Sequence, residues 1–311
     1  MAHTTNNSGH LIRSEIWSNM LKDVLEDELQ GQGYVRWLTE FPDGSTFTIP
    51  SIGQAQTDDY SEDTAIKYRP LDTGEFQFSI TEYISSATYI TNKAKQDLFY
   101  MNELVASFVP KQSRAIAVRL EEDILGLSSQ QTAGNTNAIN GASHRFIGTG
   151  TNETIALADF AKAQFALKKA NVPQTNLIAI VDPSVEYTLN TLSNLTNVSN
   201  NPRWEGIITT GLASGMKFVK NIYGFDVYTS NYLADANETI TLTTAAGKAN
   251  MFFSAAPDVL PFVGAWRQMP KVDSEYNKDM QRDEYVTTAR YGVKLFRPEN
   301  LVCVLTDTDQ V

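Results

Sequence analysis

The chain has 311 residues, of which 42% are hydrophobic and 10% aromatic, and its 25 basic against 36 acidic residues leave a net charge of −11. There is enough apolar material for a sizeable core, which excludes global disorder, and no run approaches the roughly 18 apolar residues of a membrane-spanning helix. The polar start lacks a secretory signal, the single cysteine (Cys303) forbids an internal disulfide and makes an intracellular origin the default, and the acid excess argues against nucleic-acid recognition as the main task.

Residues 14–30 (SEIWSNMLKDVLEDELQ) read as an amphipathic helix, with Ile16, Met20, Val24 and Leu25 on one stripe, Ser14 as N-cap, and Gly31 and Gly33 as stops. The stripe is narrow, so this helix must dock on something else. From Tyr34 the period changes to two. Val35, Trp37, Thr39 and Phe41 alternate with Arg36, Leu38 and Glu40, Pro42-Asp43-Gly44 turns the chain, and residues 46–49 return it. After a polar acidic stretch, GEFQFSITEYI spaces Phe76, Phe78, Ile80 and Ile84 for one face. Residues 33–90 hold nine acids and three bases, read as a solvated surface, because Asp58-Asp59 and Glu62-Asp63 lack the glycine and ligand spacing of a calcium loop. An isolated ribbon of this kind is marginal in water, so the arm is expected to rest on another subunit.

Residues 94–126 carry the strongest helical signal: Ala94, Leu98, Met101, Val105 and Phe108, then Ile116, Leu120, Ile124 and Leu127. Pro110 either kinks one long helix or divides two, and the continuous stripe favours the kink. Residues 128–151 read as a loop with a turn at Asn140-Gly141. A second amphipathic helix spans 156–170, with Phe160, Ala163, Leu167 and Ala170 on one edge and Ala161 and Phe165 beside them. LIAIV (177–181) reads as a buried strand, Asp182-Pro183-Ser184 as a turn, and 185–192 as a short helix. A Gly-rich patch (206–216) precedes strands at 217–222, 225–229, 239–243 and 250–254. The tail alternates through Val286, Thr288, Tyr291, Val293 and Leu295 before LVCVL. The layout is α+β with one long helix.

No constellation for catalysis stands out. His144 is the one histidine outside the first ten residues, and in a Gly/Asn-rich loop it reads as a surface residue. Gly211-Leu-Ala-Ser214-Gly215 sets its serine one place late for a nucleophile elbow. Gly247-Lys248 lacks the earlier glycine of a phosphate loop, since Leu242 stands there. Asp182 reads as an N-cap, and Cys303 as a small core residue. No catalytic, cofactor-binding or metal residues are expected.

Three phrases resemble the major capsid proteins of tailed bacteriophages, which have the Hong Kong 97-type fold. They are ALKKANVPQTNLIAIVDPSVEYTL, VKNIYGFDVYTSNYL and DEYVTTARYGVKLFRPENLVCV, in that family's order over residues 150–305. Residues 1–149 match by architecture more than by wording. The resemblance implies an N-terminal arm (1–32), an extended loop (33–91) lying over a neighbouring subunit, and a peripheral domain beginning at 92–173 with the spine helix. An axial domain (174–254) and peripheral closing strands (255–311) complete it. The subunit contacts would fall on Trp37, Phe41, Asp43, Gly44, Phe47, Lys67, Arg69, Phe76 and Phe78.

The implied function is a shell of pentamers and hexamers around double-stranded DNA, held without sequence-specific binding and without a membrane. It would assemble in the host bacterial cytoplasm and end in the virion capsid. The implied partners are further copies of the chain, a separate scaffolding protein (the spine helix starts too soon after Met1 for a fused one), a portal and, optionally, a decoration protein. Two alternatives stay open: an encapsulin-like nanocompartment shell, and a soluble α/β hydrolase acting through Asp182 or His144. Some relatives join a loop lysine to a neighbour's asparagine. Lys67 is the one lysine of the loop, nothing in the sequence aligns it with Asn277 or Asn300, and no cross-link is expected.

Overall fold

The computed structural model describes residues 29–38, 46–52, 57–63, 65–66, 68, 70, 73–97, 101–131, 138–191, 218–240 and 242–307. In chain order the first half contains β1 (Val35–Leu38), β2 (Thr46–Ile52), β3 (Thr73–Ser79), β4 (Glu82–Thr91), α1 (Asn92–Asp97), α2 (Met101–Gly126), β5 (Ala138–Ile139), β6 (Ala142–Ser143) and β7 (Arg145–Ile147). The second half adds α3 (Leu157–Lys169), β8 (Leu177–Val181), α4 (Pro183–Thr191), β9 (Phe218–Ile222), β10 (Phe225–Thr229), β11 (Asp235–Ile240), β12 (Thr243–Ser254), β13 (Phe262–Asn277), β14 (Arg282–Leu295) and β15 (Val302–Asp307). The expected N-terminal helix (apart from Leu29 and Gln30), the Pro42-Asp43-Gly44 turn and the patch at 206–216 lie outside the described residues.

Two sheets organise the chain. One runs β1-β13-β14-β4, and the other β7-β15-β12-β8-β10-β9, with β11 on β12. Strand β8 is buried along its whole length, as suits a central strand covered on both faces. Phe160, Ala163 and Leu167 of α3 pack on Phe225, Phe252, Val302 and Val304 in one core. Leu120, Ile124 and Leu125 of α2 join Phe253, Phe262, Tyr291 and Cys303 in the second. The sequence-based boundaries group α3 and the closing strand β15 with the spine helix. The structure packs both on the seven-stranded sheet.

Helix α2 continues through Pro110. Pro110 is exposed, so its ring projects away from the sheet on which Ile116, Leu120 and Ile124 are buried. Gln112 fixes the helix to β14, donating to the Tyr285 carbonyl at 3.1 Å and accepting from the Thr287 hydroxyl at 2.8 Å. About three turns further on, the Tyr291 hydroxyl donates to Asp123 at 2.7 Å.

Several expectations need correction. The loop assigned to 128–151 holds β5, β6 and β7; Asn140 and Gly141, with φ of 51° and 79°, make the two-residue turn between the first two. The strand expected at 239–243 is two strands, because the chain reverses at Leu242 (φ 71°) between β11 and β12. The sequence pattern does not announce strand β13, since its second half (MPKVDSEYN) is exposed on both faces and held by its ladder with β14. Strand β1 is not part of a ribbon: it pairs in parallel with β13, Val35 to Phe262 through Leu38 to Ala265. Phe165 is 53% exposed.

Candidate assembly surface

The ribbon proper is β2 against β3, in register from Thr46 opposite Ser79 to Ile52 opposite Thr73. Its base sits on the chain's own sheet. Phe78 is completely buried with Ile80, Val263 and Ala265, Phe76 meets Phe296 edge-on at 5.0 Å, and Trp37 stacks on Trp266 at 5.4 Å. For Phe78 the expectation of cover by another subunit is therefore corrected, whereas Trp37 and Phe76 stay half-buried: cross-strand spacing shows that a face must be covered, not by which chain. The backbone of Phe47 lies opposite Phe78. Phe41, Asp43, Gly44, Lys67 and Arg69 lie outside the described residues.

Beyond the base the ribbon is open. Asp58, Asp59, Glu62 and Asp63 are exposed, and Tyr60, Ile66 and Tyr68 expose 71%, 66% and 92% of their surface. The distal half of the β13–β14 hairpin, flanked by β4, also leaves Met269, Tyr276 and Met280 in the open. Its turn is anchored to the start of the helical segment. The Asn92 side chain donates to the Tyr276 hydroxyl at 2.8 Å and to Gln281 Oε1 at 3.2 Å, and Lys95 pairs with Asp283. Strand β4 closes this sheet and turns Tyr83 and Tyr89 outward. Isolated exposed apolar residues are ordinary; here they stand grouped at the ribbon tip and along one hairpin and its neighbouring strand.

Where the arm enters, Glu121 on α2 is fully buried. Its carboxylate accepts the backbone N–H of Gln30 at 3.0 Å and of Gly31 at 2.7 and 2.8 Å. A Cβ on Gly31 would lie 2.8 Å from Glu121 Oε2, so a larger residue there would have to displace the carboxylate from this clasp. Burial pushes the Glu121 pKa up, while these N–H donors and the Arg114 charge pull it back. An acid with a raised folded-state pKa contributes most below its unfolded value and loses that contribution as pH rises through the folded one. Compared with Glu121→Gln, the wild-type subunit should therefore gain thermal stability as pH falls from 7 towards 4.5. A difference in melting temperature that stays flat or shrinks over that range would contradict it. Sequence reading missed Glu121, although a carboxylate directly beside Leu120 in a buried stripe is a legible signal.

The residues weighed for catalysis serve structure. Asp182 Oδ2 accepts the Ser184 N–H at 2.9 Å and its hydroxyl at 2.6 Å, capping α4. His144 is buried, which corrects its reading as a surface residue; burial lowers its pKa and Nδ1 lies 3.0 Å from the Ala142 carbonyl. Its neighbour Arg145, also buried, grips Glu238 through Nε at 2.9 Å and Nη2 at 2.5 Å, and donates to the Ser128 carbonyl at 2.8 Å. Cys303 is a buried core residue whose thiol burial pushes up to about 12. Among the described residues no group of three or more His, Cys, Asp and Glu side chains could hold a metal, and no helix is long and apolar enough to cross a membrane.

Comparisons with known proteins give the class of this two-sheet fold with its clamped long helix. The description "Phage capsid protein" belongs to a family whose profile matches residues 75–304. The chain belongs to this phage capsid protein family, and its α+β fold is the Hong Kong 97-type fold of tailed-bacteriophage major capsid proteins. Similar solved structures include a chain of Mycobacterium phage Che8, with 16% identity and a TM-score of 0.70 over 94% of this chain and 96% of that one. The capsid of Cyanophage P-SCSP1u matches with 14% identity and a TM-score of 0.70 over 97% and 96%. The capsid of Ralstonia phage GP4 matches with 10% identity and a TM-score of 0.69 over the full length of both. No curated protein sequence matches the chain. It is a structural protein of a viral capsid shell.

Proposed function

We propose that the chain assembles into pentamers and hexamers that close as an icosahedral shell around phage double-stranded DNA. The observation that carries this reading is the set of exposed apolar residues at the ribbon tip (Tyr60, Ile66, Tyr68) and on the β13–β14 hairpin (Met269, Met280), none of which belongs to the chain's own cores. The net charge of −11 supports a container that does not adhere to its contents. In this reading a separate scaffolding protein guides assembly in the host cytoplasm, a portal occupies one vertex, a decoration protein is optional, and the subunit acts as wall and not as catalyst. Expression with the scaffolding protein should give megadalton particles by sedimentation and closed shells by electron microscopy. Monomers or dimers under every condition would overturn it, and particles filled with an enzyme cargo instead of DNA would favour the nanocompartment reading.

The shell is expected to hold without covalent cross-links. Asn300 is buried, donating to the Ser254 and Val259 carbonyls, and is out of reach of a neighbour's lysine. Asn277 is better placed, with its amide 3.1 Å from Glu284 Oε1. Arg282 holds that carboxylate at 2.6 Å and below the usual range, which makes it a weak base for activating a lysine. Boiled particles should run as one band near 34.5 kDa. A ladder yielding a branched Lys67–Asn277 peptide would show the opposite.

A further inference from the structure

Beside the Glu121 clasp, α2 and β13 enclose a groove of about 280 Å³, lined by Gln32, Ile116, Ala117, Leu120, Trp266 and Met269 among others. Ile116 and Leu120 form a dry floor, whereas Met269 on the rim is 70% exposed. Two register breaks in the β13–β14 ladder, between Trp266 and Gln268 and between Gln268 and Lys271, bend the strand along this side of the groove. The volume lies below the roughly 300–1,000 Å³ typical of small-molecule sites. It suits two or three aliphatic side chains.

The occupant is indicated by where the described chain starts. It begins at Leu29, is pinned at Gln30 and Gly31 by Glu121, and lines the groove with Gln32. The residues just before it are the segment with the narrow apolar stripe Ile16, Met20, Val24 and Leu25, which needs a surface to dock on. At the 1.5 Å per residue of the helix expected from the sequence, Val24 and Leu25 would stand within about 8 Å of Leu29. Charge agrees: the segment ends in Glu26-Asp27-Glu28, and Arg114 on the same helix is near enough to act on Glu121.

We propose that this groove is the docking site for residues 14–28 of the same chain, with Val24 and Leu25 seated over Ala117 against Met269. Docking of this kind does not depend on shell formation, so it can be tested on dilute, unassembled full-length subunits. The double variant Leu25→Cys/Met269→Cys should form an intrachain disulfide on mild oxidation, seen as a faster band without reductant and as one linked peptide by mass spectrometry. The native Cys303 is buried and stays out of the reaction. Interchain dimers would instead assign the groove to a neighbour's segment and overturn the proposal, and so would the absence of any linkage. Hydrogen exchange gives an independent reading without new thiols. Amides of residues 20–28 should be protected at least tenfold in the wild type and lose that protection in Ala117→Trp, which fills the groove. Equal exchange in the two proteins would overturn the proposal.

Discussion

Excising residues 53–72 and closing the ribbon with an Asn-Gly turn is expected to leave a folded subunit that no longer assembles. The β2–β3 ladder ends where Ile52 faces Thr73, so a two-residue turn there preserves every pair below it. What is lost is the open tip with Tyr60, Ile66 and Tyr68. Exposed residues of this kind contribute within about 0.5 kcal/mol to their own subunit's stability. Covered by a neighbour they would contribute about 1.5–3 kcal/mol each, or at least a thousandfold in affinity at every copy of the contact. Circular dichroism should be unchanged, and sedimentation with scaffolding protein should show subunits or capsomers only. Normal shells from the excised chain would remove the ribbon from the assembly surface, and loss of the dichroism signal would place it in the subunit's core.

Phe78→Ala should have the opposite signature, a loss of about 3–5 kcal/mol in the stability of the free subunit. Its ring is completely enclosed by the chain's own sheet. The fit is tight from the other side as well: a Cβ on Gly292 would come within 3.3 Å of the Phe78 ring and 2.8 Å of the Ser79 carbonyl oxygen. Urea unfolding of Phe78→Ala beside Tyr68→Ala separates the roles. The first should shift the midpoint strongly, and the second should leave it in place while weakening assembly. Equal midpoints would mean that the ring at the ribbon's base is not part of the core.

What could be read from the sequence, and what could not, follows from the range of the interactions involved. The stripe of α2, the buried run LIAIV, the Asp182 cap and the Asn140-Gly141 turn all arise from residues within a few positions of each other, and their patterns are visible locally. The parallel pairing of β1 with β13 joins residues more than 200 positions apart, and no period in either segment encodes it. For the same reason Trp37 and Phe78 were legible as residues needing cover, while the surface that covers them was not. The distal half of β13 has no buried face to announce a strand, and Glu121 and Arg145 have partners supplied by distant segments.

The place of β15 in its sheet has a consequence for the timing of synthesis. Residues 302–307 stand last among the described strands, yet they lie between β7 and β12 and bond to both. Until they arrive, β7 has no neighbour in that sheet and one edge of β12 stays open. Pairings of such long range are slow, because the loop-closure cost comes before the contacts that offset it. A nascent chain therefore cannot complete the seven-stranded sheet until β15 has left the ribosome, although the four-stranded sheet under the ribbon does not include that strand.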